Sequence, residues 1–495
     1  MDLSNVYDLL GADLFAAKSL VLLTVVGLVA VVVDAFSNDH PSLPWLAGLS
    51  LAASVAMEAV TITGPSETAF WGMIRVGGYA AWLNVVILIS AFLTVVLSAP
   101  YLRKIRHNYG EVHAIMLFTT VGMMVLASAN NLVTVFVGLE TMSVCLYILT
   151  GLVRDDEGAI ESALKYFLLG AFATGFFLYG IALLYGATGT MYLPELAAHV
   201  ATNGTSVLFV AGSALLLIGF LFKVSAVPFH MWTPDVYQGA PTTLTGFMST
   251  AGKAAAFGSL ILVLYLAMPD QGWTKALAVI ALLTMVLGNL VALAQSNVKR
   301  MLAYSSIAHA GYILVGLASG SVDGYSGALF YLLVYSVMNI GAFGVISALE
   351  WDGVGGREQT LDSLAGVGYR KPLLGWTMAF FMFSLAGFPP LGGFLGKYAV
   401  FAPAIESGLT WLVIIGVLTS AVSAYYYLRV LVVFFMKTAD EVRVPVSDAD
   451  FPIPRSTAAV LIACAVALIV LGVTPQLLDV TAKLFSSAGA FATMP

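Results

Sequence analysis

Long apolar runs joined by short polar segments fill nearly the whole chain. A helix rising 1.5 Å per residue needs roughly 20 mainly apolar residues to cross a hydrocarbon core of about 30 Å. Fourteen runs approach or exceed that length, at 14–33, 43–63, 79–99, 113–129, 131–152, 160–186, 206–231, 241–267, 274–295, 300–319, 325–349, 373–402, 410–436 and 456–475. Only Asn130-Asn131 separates the fourth run from the fifth, and fusing the two would invert every later span. Lys and Arg placement argues for the split. With the first residue outside, the inner loops carry twelve basic residues, from Arg103 to Arg455, against Arg75, Lys275 and Lys483 outside. Basic residues collect on the cytoplasmic side of membrane proteins, so both termini are expected on the outer, periplasmic face.

Two runs are interrupted. The seventh carries Pro228 after Lys223, and the twelfth reads GFPPLGGFLGK, with Pro389-Pro390 and Gly392-Gly393 ahead of Lys397. Proline removes a backbone donor and clashes with the preceding turn. Irregular backbone at membrane depth survives only inside protein or along a cavity. The breaks lie five helices apart, an odd offset that makes the helices bearing them antiparallel, and paired interrupted spans point to inverted repeats. The expected architecture is an all-α polytopic membrane protein of 14 transmembrane helices, with two inverted five-helix repeats and broken helices 7 and 12. Its expected parts are an N-terminal three-helix segment (1–112), a first repeat (113–267), a second repeat (268–440) and a C-terminal helix (441–495).

Composition agrees: 60% of residues are hydrophobic and 10% charged, where a soluble chain carries about a quarter charged residues. A net charge of −6 without basic blocks gives no reason to expect nucleic acid. Cys145 and Cys464 are too few for a four-thiolate cluster. The acidic first residues lack the basic flank of a signal peptide, so the first apolar run is expected to stay.

Against this background the charges inside spans stand out. A lysine deep in a bilayer costs roughly 2.5–3.5 kcal/mol on insertion scales, so such groups are functional candidates by default. Lys223, Lys253 and Lys397 lie within runs, and Glu140 lies ten residues into the fifth. Glu140 is the expected partner of Lys223, because desolvation and pairing pull their protonation equilibria in opposite directions. The plainer alternative is a static ion pair. Lys165, one turn after Glu161, could relay protons or pair locally. His230 and His309 could pass protons near neutral pH or simply pack, and His309 could bridge Lys253 and Lys397. Glu58 and Asp34 are expected at interfaces, and Tyr425-Tyr426-Tyr427 as packing or an interfacial belt. No metal or cofactor ligand set is apparent.

Two longer motifs carry a resemblance. KVSAVPFHMWTPDVYQGAPTTLTGFMSTAGKAAAF (223–257) and NVKRMLAYSSIAHAGYILVG (297–316) resemble the proton-translocating subunits shared by respiratory complex I and the multisubunit cation/proton antiporters. ESALKYFLLGAFATGFFLYG (161–180), SAVSAYYYLRV (420–430) and a lysine at 397 are similar to one branch of the bacterial NADH:quinone oxidoreductase subunits. The chain ends about twenty residues after its last span, so a long lateral helix is not expected. The resemblance implies an antiporter-like fold in a bacterial inner membrane. It implies proton translocation by Glu140 and Lys223, with Lys253 as the central lysine and Lys397 at the outlet. Protons would pass from the inner face through the Lys223 region to Lys253, cross to Lys397 and leave outward. NADH, FMN, iron–sulfur clusters and quinone would belong to other subunits, and the partners would be neighbouring antiporter-like and small membrane subunits. The alternative is a cation/proton antiporter subunit with no redox link.

Overall fold

The computed structural model describes residues 11–36, 42–268, 272–350, 360–438 and 452–489. Residues 1–10, Arg357 and Arg443, used above for topology, lie outside them. Among the described residues, eleven helices are long and apolar enough to cross a membrane, and three shorter apolar helices accompany them: Leu43–Ala59, Val207–Lys223 and Pro372–Ala386. The chain is a mostly helical, multi-pass membrane protein. Among the described residues the two strands form a small antiparallel hairpin, Glu67–Ala69 with Ile74–Val76, in which Thr68 faces Arg75.

Local sequence explains where helices start. Asn131, Asp156, Ser206, Asn297 and Ser321 each accept a bond from a backbone N–H in the following turn, satisfying donors that a helix start leaves free. The Asn130-Asn131 joint does separate Gly110–Ser128 from Leu132–Thr150. Asn130 accepts from Arg75 Nε at 2.9 Å and donates to the Gly72 carbonyl at 3.0 Å, which ties the joint to the hairpin.

Both interruptions are present, with different bounds from those expected. The seventh run stops being helical at Lys223 rather than near 231. Ser225 takes a left-handed conformation (φ 64°), and the chain resumes as the short helix Trp232–Gly239. The Phe222 carbonyl freed by this break accepts from the Trp232 indole at 2.9 Å, and Val227 N–H donates to Thr284 at 3.0 Å. The backbone groups are thus satisfied inside protein, as a membrane interior requires. The twelfth run splits into Pro372–Ala386 and Gly392–Glu406, with Gly387 at φ 91° between them. A Cβ on Gly393 would lie 1.8 Å from the Ser384 carbonyl oxygen, so only glycine lets the two halves meet. The Val227-Pro228 and Pro389-Pro390 peptide bonds are both cis.

The helix Thr242–Leu266 contains a π-helical turn at Met248–Gly252 that no sequence signal announced. Its apolar window is wholly enclosed by protein; those of Val298–Ala318 and Val322–Leu349 are 94% enclosed, against 22% for Lys18–Phe36 and 33% for Glu157–Thr188. Three central helices are therefore wrapped by helices that show apolar side chains outward, the arrangement expected of a protein whose solvent is lipid.

Candidate functional site

The central helices and the two breaks position the charged groups. Lys223, Lys253 and Lys397 are only 6%, 2% and 6% exposed. Among the described residues, none of the three ammonium groups has a carboxylate within ion-pair distance.

Lys223 is the last residue of its helix half. Its Nζ donates to Ser143 Oγ at 2.7 Å and to the Tyr147 hydroxyl at 3.4 Å, and lies within 6 Å of the ring centroids of Tyr147, Tyr166 and Phe222. The expected contact with Glu140 is not made. Glu140 instead accepts from Thr174 Oγ1 at 2.8 Å. Ser143, three residues after Glu140 and on the same helix face, holds the ammonium.

Lys253 follows the π turn and donates to the Ser306 carbonyl at 2.7 Å and to the Ser306 hydroxyl. One turn further along the same helix, His309 is held between two hydroxyls: Nδ1 is 2.8 Å from Tyr331 and Nε2 is 3.0 Å from Tyr427, which also bonds Ser305. Tyr426 and Tyr427 are buried packing residues that also make hydrogen bonds, Tyr427 within this network and Tyr426 donating to Asn289 at 2.9 Å, while Tyr425 is exposed.

Lys397 points back at the end of the preceding half-helix. Its Nζ donates to the carbonyls of Leu385 and Ala386 at 3.1 and 3.0 Å and to Ser420 Oγ at 2.7 Å, and lies 5.0 Å from the Tyr312 ring centre. Carbonyls at a helix C-terminus carry the negative end of the helix dipole. A mostly apolar cleft of about 680 Å³, lined by Phe388, Phe394, Tyr398 and Phe401 among others, adjoins this lysine.

The remaining candidates fall elsewhere. Lys165 pairs with Glu161 at 2.7 Å and Asp235 at 2.8 Å, and Asp235 also takes Arg300 at 2.7 Å. Burial would raise the Asp235 carboxyl, but the bonds from Lys165 and Arg300 outweigh it and hold the group below its ordinary range. His230 is half-buried beside the first break, and no hydrogen bond joins it to the lysines. Glu58, at the end of Leu43–Ala59 and partly buried, is bonded by Ser19 and lines a mostly apolar pocket that also includes Lys18, Arg75 and Asn84.

Sequence reasoning passed over the hydroxyls of Ser143, Ser306 and Tyr427. It also took Lys299 for a topological loop residue; Lys299 is 1% exposed and faces Glu350 at 3.8 Å. Spacing could have found Ser143, whereas the pairing of Lys299 with Glu350 is set only by the fold.

Comparison with known proteins gives the family. The profile of a family described as "NADH:quinone oxidoreductase/Mrp antiporter, TM" matches residues 129–423. NADH-quinone oxidoreductase subunit N of Salinibacter ruber is 61% identical, with the whole of both chains covered. A chain of respiratory complex I from Thermus thermophilus is 36% identical and superposes with a TM-score of 0.79 over 94% of this chain and 99% of its own. A chain of the Mrp complex of a Dietzia species, 21% identical, shares the fold with a TM-score of 0.83 over 96% of this chain and 97% of its own. This chain belongs to the NADH:quinone oxidoreductase/Mrp antiporter membrane family, on its subunit N branch.

Proposed function

We propose that the chain is a membrane-arm subunit of an NADH-quinone oxidoreductase and moves protons across the bacterial inner membrane, driven by electron transfer from NADH to quinone on other subunits. The observation that carries this reading is the row of three buried ammonium groups with hydroxyl and carbonyl partners and no touching carboxylate. A structural lysine at such depth would be expected to keep a counter-ion, because an unpaired buried charge is expensive. A lysine that gains and loses its proton gains from partners that tolerate both states.

In this reading the chain crosses the membrane fourteen times, counting the three shorter apolar helices and joining the halves on each side of the second break. Both termini face outward. Residues 113–267 and 268–440 form inverted units, flanked by 1–112 and by 441–495; one interrupted helix in each unit supports the pairing. Glu140 biases Lys223. Lys253 takes the proton at the centre, His309 with Tyr331 and Tyr427 passes it across, and Lys397 releases it outward. Lys165 holds the inner end of the first unit together, and His230 lies beside the path. Flavin, iron–sulfur clusters and quinone are assigned to partner subunits, and the neighbours to other antiporter-like and small membrane subunits. A redox-free cation/proton antiporter is less supported, because the likeness to the Mrp chain extends to fold alone.

The test is Lys253→Met in the intact complex in inverted membrane vesicles. NADH-driven acidification should fall at least about tenfold while the complex still assembles. Acidification at the unmodified level would sink the reading.

A further inference from the structure

At the end of the bundle where Lys299 lies, a second buried charged group remains outside this path. Glu350 follows the helix Val322–Leu349 and is 8% exposed. Its Oε2 accepts from Thr242 Oγ1 at 2.7 Å, and its Oε1 stands 3.8 Å from Lys299 Nζ. Lys299 spends its shorter bond, 2.7 Å, on the Ala240 carbonyl, and Lys104 donates to the Glu350 carbonyl. A buried ion pair this loose is a poor tie, since desolvation offsets most of its attraction. It is better suited to keeping a carboxylate charged and ready.

We propose that Glu350 is a proton-uptake site that feeds Lys253 directly, at the inner mouth of a polar column separate from the Lys223 route. This rests on the proton-translocating reading and its orientation. Thr242, which holds Glu350, opens the helix that carries Lys253 eleven residues on, roughly 16 Å at 1.5 Å per residue, or about half the hydrocarbon thickness. Asn339 lies the same eleven residues before Glu350 on the neighbouring helix and donates to Ser249 at 2.7 Å and to the Tyr335 hydroxyl at 2.9 Å. The Asn339 Oδ1 is buried with no partner, an open acceptor in the column. Ser249, which Asn339 bonds, lies four residues before Lys253 on the same helix, and the Tyr237 hydroxyl is another buried polar atom with no partner. Near the mouth, Ser98 bonds Thr243 at 2.8 Å.

In the proposed step the Glu350 carboxylate takes a proton from water at the inner face and becomes neutral. It returns to the carboxylate by passing that proton through the hydroxyls and intervening water to the neutral amine of Lys253, which becomes an ammonium. Lys299 stays charged throughout and restores the carboxylate for the next cycle.

The test uses the intact complex in inverted vesicles, with native electrophoresis for assembly, NADH:quinone turnover and NADH-driven acidification. Glu350→Gln should assemble and lose acidification at least about tenfold, and Glu350→Asp should recover much of it. Acidification at the unmodified level in Glu350→Gln, or equal impairment in Gln and Asp variants, would overturn the proposal. If Glu350→Gln does not assemble, Thr242→Val decides: reduced acidification in an assembled complex supports the site, and unchanged acidification rejects it. Lys253→Met, run alongside, separates the two readings. If it acidifies normally the function itself fails, and if it fails while Glu350→Gln is normal only the uptake site is lost.

Discussion

The two broken helices solve one problem with different chemistry. At the first break the ammonium of Lys223 meets side-chain hydroxyls and aromatic faces, while the carbonyl of Phe222 is taken by Trp232. At the second, Lys397 itself takes two backbone carbonyls at the half-helix end, with Ser420 as the third partner. Carbonyls only accept, and an ammonium offers three donors. Hydroxyls accept or donate as needed, so the Lys223 site can serve either protonation state by rotating O–H groups. At the Lys397 site two fixed carbonyls at the end of a helix dipole favour the charged form, and a neutral amine keeps its two N–H groups on them with Ser420 as the donor to its lone pair. The first break is thus lined by groups that rotate, and the second mostly by groups that are fixed.

Several substitutions would break or sharpen this contrast. The largest effect is expected at Gly393→Ala, where the new methyl meets the Ser384 carbonyl. Overpacking of that kind costs about 3 kcal/mol, enough to reduce the amount of assembled complex on a native gel. Next comes Ser143→Ala, which takes away the closest acceptor of Lys223. An unmet buried group costs about 1–3 kcal/mol, and coupled turnover should drop about tenfold. Ser420→Ala leaves Lys397 its two carbonyls, and the same assay should show a loss of less than about threefold. Equal losses in the two serine variants would remove the contrast.

The smallest effect belongs to Asp235→Asn, at the partly exposed bridge to Lys165 and Arg300. Solvent screening limits that bridge to about 1 kcal/mol or less. Because the folded carboxyl lies below its ordinary value of 3.8, its contribution is whole above that value and is lost as pH falls through the lower, folded one. Heat-inactivation midpoints should therefore differ between Asp235→Asn and the unmodified complex by the same small amount from pH 5 to pH 8.

Much of this was legible in the chain. Run lengths gave the helices, Asn130-Asn131 the joint, and Pro228 and Pro389-Pro390 the breaks, because each acts through local backbone chemistry. Lys223, Lys253 and Lys397 stood out because charge in an apolar run is locally anomalous. The partners did not. Ser143 and Ser306 are ordinary residues in helices and gain meaning only from what crosses them. Glu350 follows the end of a run, and Lys299 opens another, where charges are routine; 51 residues part them in sequence. The π turn at Met248–Gly252 carries no residue signature, and Glu140 looked like a direct partner because sequence does not show that Ser143 and Tyr147 take the ammonium while Thr174 takes the carboxylate.

The enclosure of Thr242–Leu266 by other helices has a further consequence. A helix that never meets an acyl chain is indifferent to bilayer thickness. A change in membrane thickness acts first on the outer helices, of which Lys18–Phe36, Glu157–Thr188 and Thr410–Met436 are the least enclosed by the chain, rather than on the middle. Cells that remodel their fatty acids with temperature could thus do so without retuning the inner machinery.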